Sequence, residues 1–215
     1  MYRDQRNYEN LNRAKFIGAG AFDIPRILAE VLATPQSWIG FNYAKSCKDP
    51  ANKAVHFFVD DYQFNRLWTN PDAYLDMLRR FKAVCTPDFS TYTDFPKAVQ
   101  IWNHYRKHWL GAYWQGNGIT VIPTISWSDE SSFEWCFDGE PVGGAVAVSS
   151  VGTQLNKRAA ELFRLGYDEM LRRLNPSTIY FYGLVPEGIS GPIVHVAAFQ
   201  EQIKARTTKP KESAV

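Results

Sequence analysis

Residues 84–90 read VCTPDFS: a short apolar run enters at Val84, Pro87 ends it, and Asp88 stands just beyond with Ser90 two places on. The same design recurs along the chain. AVHFFVDD at 54–61, ITVIPTISW at 119–127, GAVAVSSVG at 144–152 and TIYFYG at 178–183 are apolar runs that stop at polar or turn residues. Runs without polar alternation are the pattern of strands covered on both faces. FIGAGAFDIP at 16–25 and SWIGFNY at 37–43 are weaker versions, broken by glycine and by polar residues.

Helical patterns lie between the runs. Asn70 can cap a helix that starts at Pro71, with Tyr74, Met77, Leu78 and Phe81 forming one stripe. A second begins near Asp94 and Pro96 and places Ala98, Ile101, Trp102, Tyr105 and Trp109 on its apolar face. A third spans about Asn156 to Leu174, with Leu162, Phe163, Tyr167, Met170, Leu171 and Leu174 inward, and ends at NPS. Strand–helix alternation predicts an α/β fold with a mostly parallel sheet of repeated βα units. At 215 residues, a full eight-unit barrel of about 250 residues is too long. The expectation is a reduced or irregular TIM-like barrel, with an open doubly wound sheet as the alternative. The segment 1–15 reads as a polar N-terminal extension, 16–203 as one domain, and 204–215 as a basic, disordered tail.

Composition narrows the function classes. A formal net charge of +2 is too small to indicate a nucleic-acid footprint by itself. The basic residues gather at the ends, Arg3, Arg6, Arg13 and Lys15, then Lys204, Arg206, Lys209 and Lys211, either as solvated tails or as phosphate-touching arms. Cys47, Cys85 and Cys136 are odd in number and widely spaced, which excludes a cysteine-rich metal centre and fits a reducing, cytoplasmic setting. Cys85 reads as a core thiol. No leader-like or membrane-spanning apolar run is present, so no membrane association is expected.

In parallel α/β folds, ligands bind beyond the carboxyl ends of the strands. The residues expected there are Asp60, Asp61 and Asp88, with Asn42, Ser90, Ser126, Trp127, Ser150 and Tyr182 as ligand contacts; Asp23, Phe89 and Ser149 are further members of the rim. Asp60, Asp61 and Asp88 could hold Mg²⁺, or one of them could act as a general base. The competing reading is that Asp88 and Ser150 are helix caps. His104 and His108 in HYRKH have a chelating i, i+4 spacing, but Arg106 and Lys107 between them suggest a solvated basic face. His56 and His195 read as hydrogen-bonded core residues. SSVGTQLNK could cradle a phosphate but lacks the P-loop spacing, GAGAFD lacks the third glycine of a dinucleotide fingerprint, and Ser149–Ser150 lack a nucleophile elbow.

The pieces VDD, TPDFS, PTISW and SSVG, in this order between Phe16 and Phe181, resemble an uncharacterised protein family found in bacteria, phages and mobile genetic elements. The resemblance implies a phage or mobile-element setting, with nucleic acid or a phage or host protein as partner. It carries no catalytic roles. Two functions follow: an enzyme acting at the rim on nucleic acid or a nucleotide-like phosphorylated ligand, or a non-catalytic accessory or virion protein that binds nucleic acid or protein.

Overall fold

The computed structural model describes residues 9–31, 33–199 and 201. The predicted tail at 204–215 lies outside them, as do Arg3 and Arg6. Among the described residues the strands are β1 (Gly18–Ala19), β2 (Ile24–Pro25), β3 (Ser37–Gly40), β4 (Lys53–His56), β5 (Ala83–Cys85), β6 (Val121–Ile122), β7 (Ala145–Ser149), β8 (Thr178–Tyr182) and β9 (Ile193–Val196). The α-helices are α1 (Phe41–Ala44), α2 (Arg66–Thr69), α3 (Leu75–Leu78), α4 (Lys97–Gly116) and α5 (Lys157–Leu174), with 3₁₀ turns at Asp61–Gln63, Pro71–Tyr74 and Glu130–Glu134.

The predicted parallel arrangement is present. β3, β4, β5 and β6 form one parallel sheet in chain order, and β7, β8 and β9 form another. A parallel bridge between Thr124 and Ala147 links them. Pro123 ends β6 because it has no N–H, yet its carbonyl still accepts from Ala147 N at 2.8 Å, and Ile125 N donates to Ala147 O at 2.8 Å. Among the described residues β3 and β9 are not paired, so the strands do not close into a barrel. The strand order also lacks the reversal that defines a doubly wound sheet.

Three elements differ from expectation. FIGAGAFDIP supplies only a two-residue antiparallel pair, Gly18 opposite Pro25, because Asp23 turns the chain with φ 50°. The helix expected from Pro71 is a 3₁₀ turn followed by α3, and Asn70 makes no side-chain cap bond. β9 has no counterpart among the apolar runs: IVHV is short and has His195 in it. α5, by contrast, starts where Asn156 Oδ1 accepts from Ala159 N and ends at Asn175 in the left-handed conformation.

α4 buries Trp109 of its expected apolar face, but Ala98 and Trp102 face outward and much of its buried side is polar. The face that periodicity marks as apolar carries Trp102, which is exposed, and Ala98, Ile101, Trp102 and Tyr105 line an open groove of about 530 Å³. The buried residues are Gln100, Asn103, His104, Lys107, His108, Trp109, Leu110, Gly111, Ala112 and Trp114. HYRKH is therefore not a solvated face: Lys107 is 2% exposed and His108 0%. Trp109, Trp114 and Trp135 are fully buried. At the chain start, Asn10 Nδ2 donates to Trp68 O at 2.7 Å and Trp109 Nε1 to Ala14 O at 3.1 Å, tying the first described residues to α2 and α4.

Candidate functional site

A cavity of about 1040 Å³ opens at the carboxyl ends of β4, β5, β6 and β7. Phe58 to Tyr62 border it after β4, Asp88 to Phe95 after β5, Ile125 to Ser128 after β6, and Val148, Ser149 and Val151 to Thr153 at the end of β7; α5 adds Ala159, Leu162 and Phe163. Parallel strands deliver their following residues to one end, which is why Asp60, Asp61, Asp88, Ser90, Ser126 and Trp127 meet here.

Within the cavity the aspartates differ. Asp60 is exposed. Asp61 accepts from Ser90 N at 3.1 Å and Ser90 Oγ at 2.8 Å, so both its oxygens are engaged. Asp88 is half-buried. Burial pushes its carboxyl up to about 7; Lys107 opposes that rise, Asp61 adds to it, and a hydrogen bond with Ser126 opposes it. A carboxyl balanced between its two protonation states near neutrality can give or take a proton. Neither Asp88 nor Ser150 caps a helix: α4 starts at Lys97 on Pro96, and α5 is capped by Asn156.

The α4 side chains reach this rim from beneath. Asn103 Nδ2 donates to Ser90 O at 2.6 Å, Arg106 Nη2 to Asn103 Oδ1 at 2.6 Å, and Arg106 Nη1 to Asn65 Oδ1 at 2.9 Å. The Arg106 guanidinium also lies 4.0 Å over the Phe89 ring. Deeper still, Lys107 Nζ donates to Thr124 O at 2.8 Å and to Glu140 Oε1 at 2.8 Å, while His108 Nε2 lies 2.9 Å from the same Oε1. Burial pushes the Glu140 carboxyl up, but His108 and Lys107 outweigh it and hold it below the ordinary range. His104 falls well below its ordinary value through burial, His108 and Lys107, and stays neutral.

Other expected contacts fall elsewhere. Asn42 is exposed at the start of α1 and does not line the cavity. Ser150 is buried and donates to Leu184 O at 2.6 Å. Tyr182 packs against His56 and Phe58, at 4.6 and 4.8 Å between ring centroids, and its hydroxyl accepts from Phe199 N at 3.2 Å. Asp23 sits in the β1–β2 turn, away from the rim. His56 is buried, with Nδ1 unpartnered among the described residues, and burial lowers its ring to about 4. His195 is not a core residue: its side chain is 47% exposed and lies 3.4 Å from Glu201. In SSVGTQLNK, the amides of Val151 and Thr153 are already bonded to Ser149 Oγ and Ser150 O. All three cysteines are free and buried; burial raises the Cys85 thiol and pushes Cys136 up to about 12, so neither is a thiolate nucleophile at neutral pH.

A family model described as Domain of unknown function (DUF4417) matches residues 16–200. The chain belongs to this family. It is similar to the "Gene 1 protein" of Mycobacterium phage L5, 42% identical over 174 residues, covering 80% of this chain and 75% of that protein. The "Gene 1 protein" of Mycobacterium phage D29 is 39% identical over 173 residues, 80% of this chain and 64% of that one. No solved structure matches. These likenesses establish a phage-type DUF4417 protein and assign no residue a role. No helix among the described residues is long and apolar enough to cross a membrane.

The wall of the cavity rests on one close approach. A Cβ built on Gly166 of α5 would lie 2.2 Å from Trp127 Nε1 and 2.3 Å from Cε2. Trp127 Nε1 donates to Leu162 O at 3.1 Å, which pins the indole in place. Gly166→Ala gains about 1 kcal/mol of helix propensity, but the displaced indole costs about 1–3 kcal/mol. The expected result is a net loss of stability in urea unfolding, with a changed tryptophan emission spectrum. A stabilised variant with an unaltered spectrum would show that Trp127 is not held against α5.

Proposed function

We propose that the cavity at the β4–β7 ends binds a nucleotide-like phosphorylated ligand together with Mg²⁺, and that Asp88 transfers a proton to or from it. The observation that carries this reading is the placement of Asp88, poised near neutrality, in a roomy cleft whose walls offer Trp127, Tyr62, Tyr92 and Phe58 for stacking. Asp60, Asp61, Asp88 and Asp94 line the cavity, and among the described residues no lysine, arginine or histidine lines it. A phosphate enters such a site only with its charge compensated, which a divalent ion does. Asp60, Asp61 and Asp88 are not a ready-made three-carboxylate cage, since their oxygens do not all lie within 4.8 Å of one another. That suits Mg²⁺, which is commonly held by one or two carboxylates plus substrate phosphates. In this reading Asp60 and Asp61 hold the ion, while Ser90, Ser126 and Ser149 supply hydroxyls to the ligand.

The strand arrangement supports an irregular, open-sided barrel as the frame for this site. Trp38 of β3 lies 5.0 Å from Tyr180 of β8, and His56 of β4 lies 4.6 Å from Tyr182, so the two sheets curl toward each other. The non-catalytic alternative, a phage accessory or virion protein that binds nucleic acid or another protein, uses the same surface without turnover.

Calorimetric titration with nucleoside mono- and triphosphates and a short single-stranded DNA, with Mg²⁺ and with EDTA, tests the proposal. Saturable nucleotide binding in Mg²⁺, lost in EDTA and weakened by Asp61→Asn, is expected. Equal binding with and without the ion, or binding of DNA alone with a steep salt dependence, would transfer the case to the accessory-protein reading.

A further inference from the structure

A second cluster lies beneath the cavity and has a different chemistry. His104 and His108 stand one turn apart on α4, their rings 4.4 Å apart between centroids, and Glu140 reaches them from the turn after Gly139. One ring nitrogen of each histidine and one carboxylate oxygen of Glu140 lie within 4.8 Å of one another, and all three residues are buried.

The hydrogen bonds fix where the protons are. His108 Nδ1 lies 2.8 Å from Pro25 O, and His104 Nε2 lies 3.1 Å from Asp138 O. A carbonyl only accepts, so these two nitrogens carry hydrogens. Backbone carbonyls orient metal-binding imidazoles in the same way, leaving the other nitrogen as ligand. On His108 that other nitrogen, Nε2, faces Glu140 Oε1 at 2.9 Å. Two lone pairs do not approach that closely unless a cation lies between them, either a proton or a metal ion. Glu140 Oε2, moreover, is buried with no hydrogen-bond partner among the described residues, an expensive condition for a carboxylate oxygen. The cradle is tight: a Cβ on Gly139 would lie 2.8 Å from His108 Nδ1 and 2.6 Å from Pro25 O.

The geometry points to a divalent transition-metal site formed by His104, His108 and Glu140. Two imidazole nitrogens and one carboxylate oxygen are a zinc-type donor set. Lys107 is the feature that opposes it, since its ammonium shares Glu140. Oε1, which faces His108 Nε2, is shared between the ion and Lys107, and the buried Oε2 is available as a second ligand oxygen. This site is distinct from the rim cavity, whose lining includes none of its three residues.

Full-length chain stripped with a chelator and returned to buffer is titrated with Zn²⁺, with Co²⁺ as a spectroscopic probe and Mg²⁺ as control. One equivalent of Zn²⁺, a tetrahedral cobalt spectrum, and no response to Mg²⁺ at these histidine signals are expected. His104→Gln should abolish the cobalt spectrum, and Lys107→Met should preserve or strengthen it. Nitrogen NMR of the wild-type imidazoles guards against variants that fail to fold. If folded wild type binds no Zn²⁺, the metal site is refuted, and protons on both nitrogens of His108 would then identify the cation facing Glu140 as a proton.

Discussion

Glu140→Ala is expected to destabilise the chain by about 3–5 kcal/mol, the range for removing one partner of a buried ion pair. Glu140 has no exposed side-chain surface and Lys107 only 2%. Without the carboxylate, the Lys107 ammonium keeps one hydrogen bond, to Thr124 O, and loses the only carboxylate it is hydrogen-bonded to among the described residues, with Asp88 at the rim as a remaining nearby acid. His108 loses its partner in the same step. Urea unfolding in EDTA measures the loss with any bound metal removed. The double variant Lys107→Met/Glu140→Leu is the decisive control, because apolar replacement of a whole buried pair is often neutral or stabilising. It should recover most of the loss. If Glu140→Ala costs less than about 1 kcal/mol, an amount typical of exposed pairs, then Lys107 reaches water and the buried arrangement is wrong.

That network also marks the limit of what the sequence displays. Apolar runs ending in Asp or Ser announce both the strands and the rim, because the chemistry of the fold places a polar residue wherever a buried strand emerges. Asp60, Asp61, Asp88, Ser90, Ser126 and Trp127 therefore meet at one cavity as expected from their positions alone. α4 hides its orientation for the opposite reason. Its aromatic residues satisfy helical periodicity on one face, and its polar residues on another, and hydrophobicity selects the first. The second face wins because Glu140, 33 residues beyond Lys107, and the carbonyls of Pro25, Thr124 and Asp138 supply partners that local reading does not foresee. One signal does point to it: Gln100, Asn103, His104, Lys107, Gly111 and Trp114 fall on a single stripe at spacings of three and four, a polar stripe ending in small and bulky core residues. Asn42 and Tyr182 show the complementary error. Each follows or ends a strand, but Asn42 is carried outward by α1, and Tyr182 is the last residue of β8 and turns inward onto His56 and Phe58.

Asp88→Asn is the substitution in which stability and function are expected to move in opposite directions. Burial raises the Asp88 carboxyl from 3.8 to about 7, with Lys107 of α4 pulling it down, Asp61 pushing it up, and Ser126 donating to it. Between those two values the folded chain holds a proton that the unfolded chain has released. Stability from this group is therefore complete below about pH 4 and is lost as pH rises through about 7. Asparagine has the shape of the protonated acid and no such dependence. Every pH unit that separates the folded from the unfolded carboxyl corresponds to about 1.4 kcal/mol, and the opening of Asp88 to the cavity reduces the full amount. The variant should thus gain about 1–3 kcal/mol on wild type between pH 5 and pH 8, read from urea midpoints at both values. Comparing the two pH values cancels whatever the amide does to packing. Under the proposed chemistry the same variant retains its ligand but loses turnover, since an amide cannot exchange a proton near neutrality. Parallel stability curves for the two proteins would mean that Asp88 titrates as an ordinary surface carboxylate, and the proton-transfer role would fall with it.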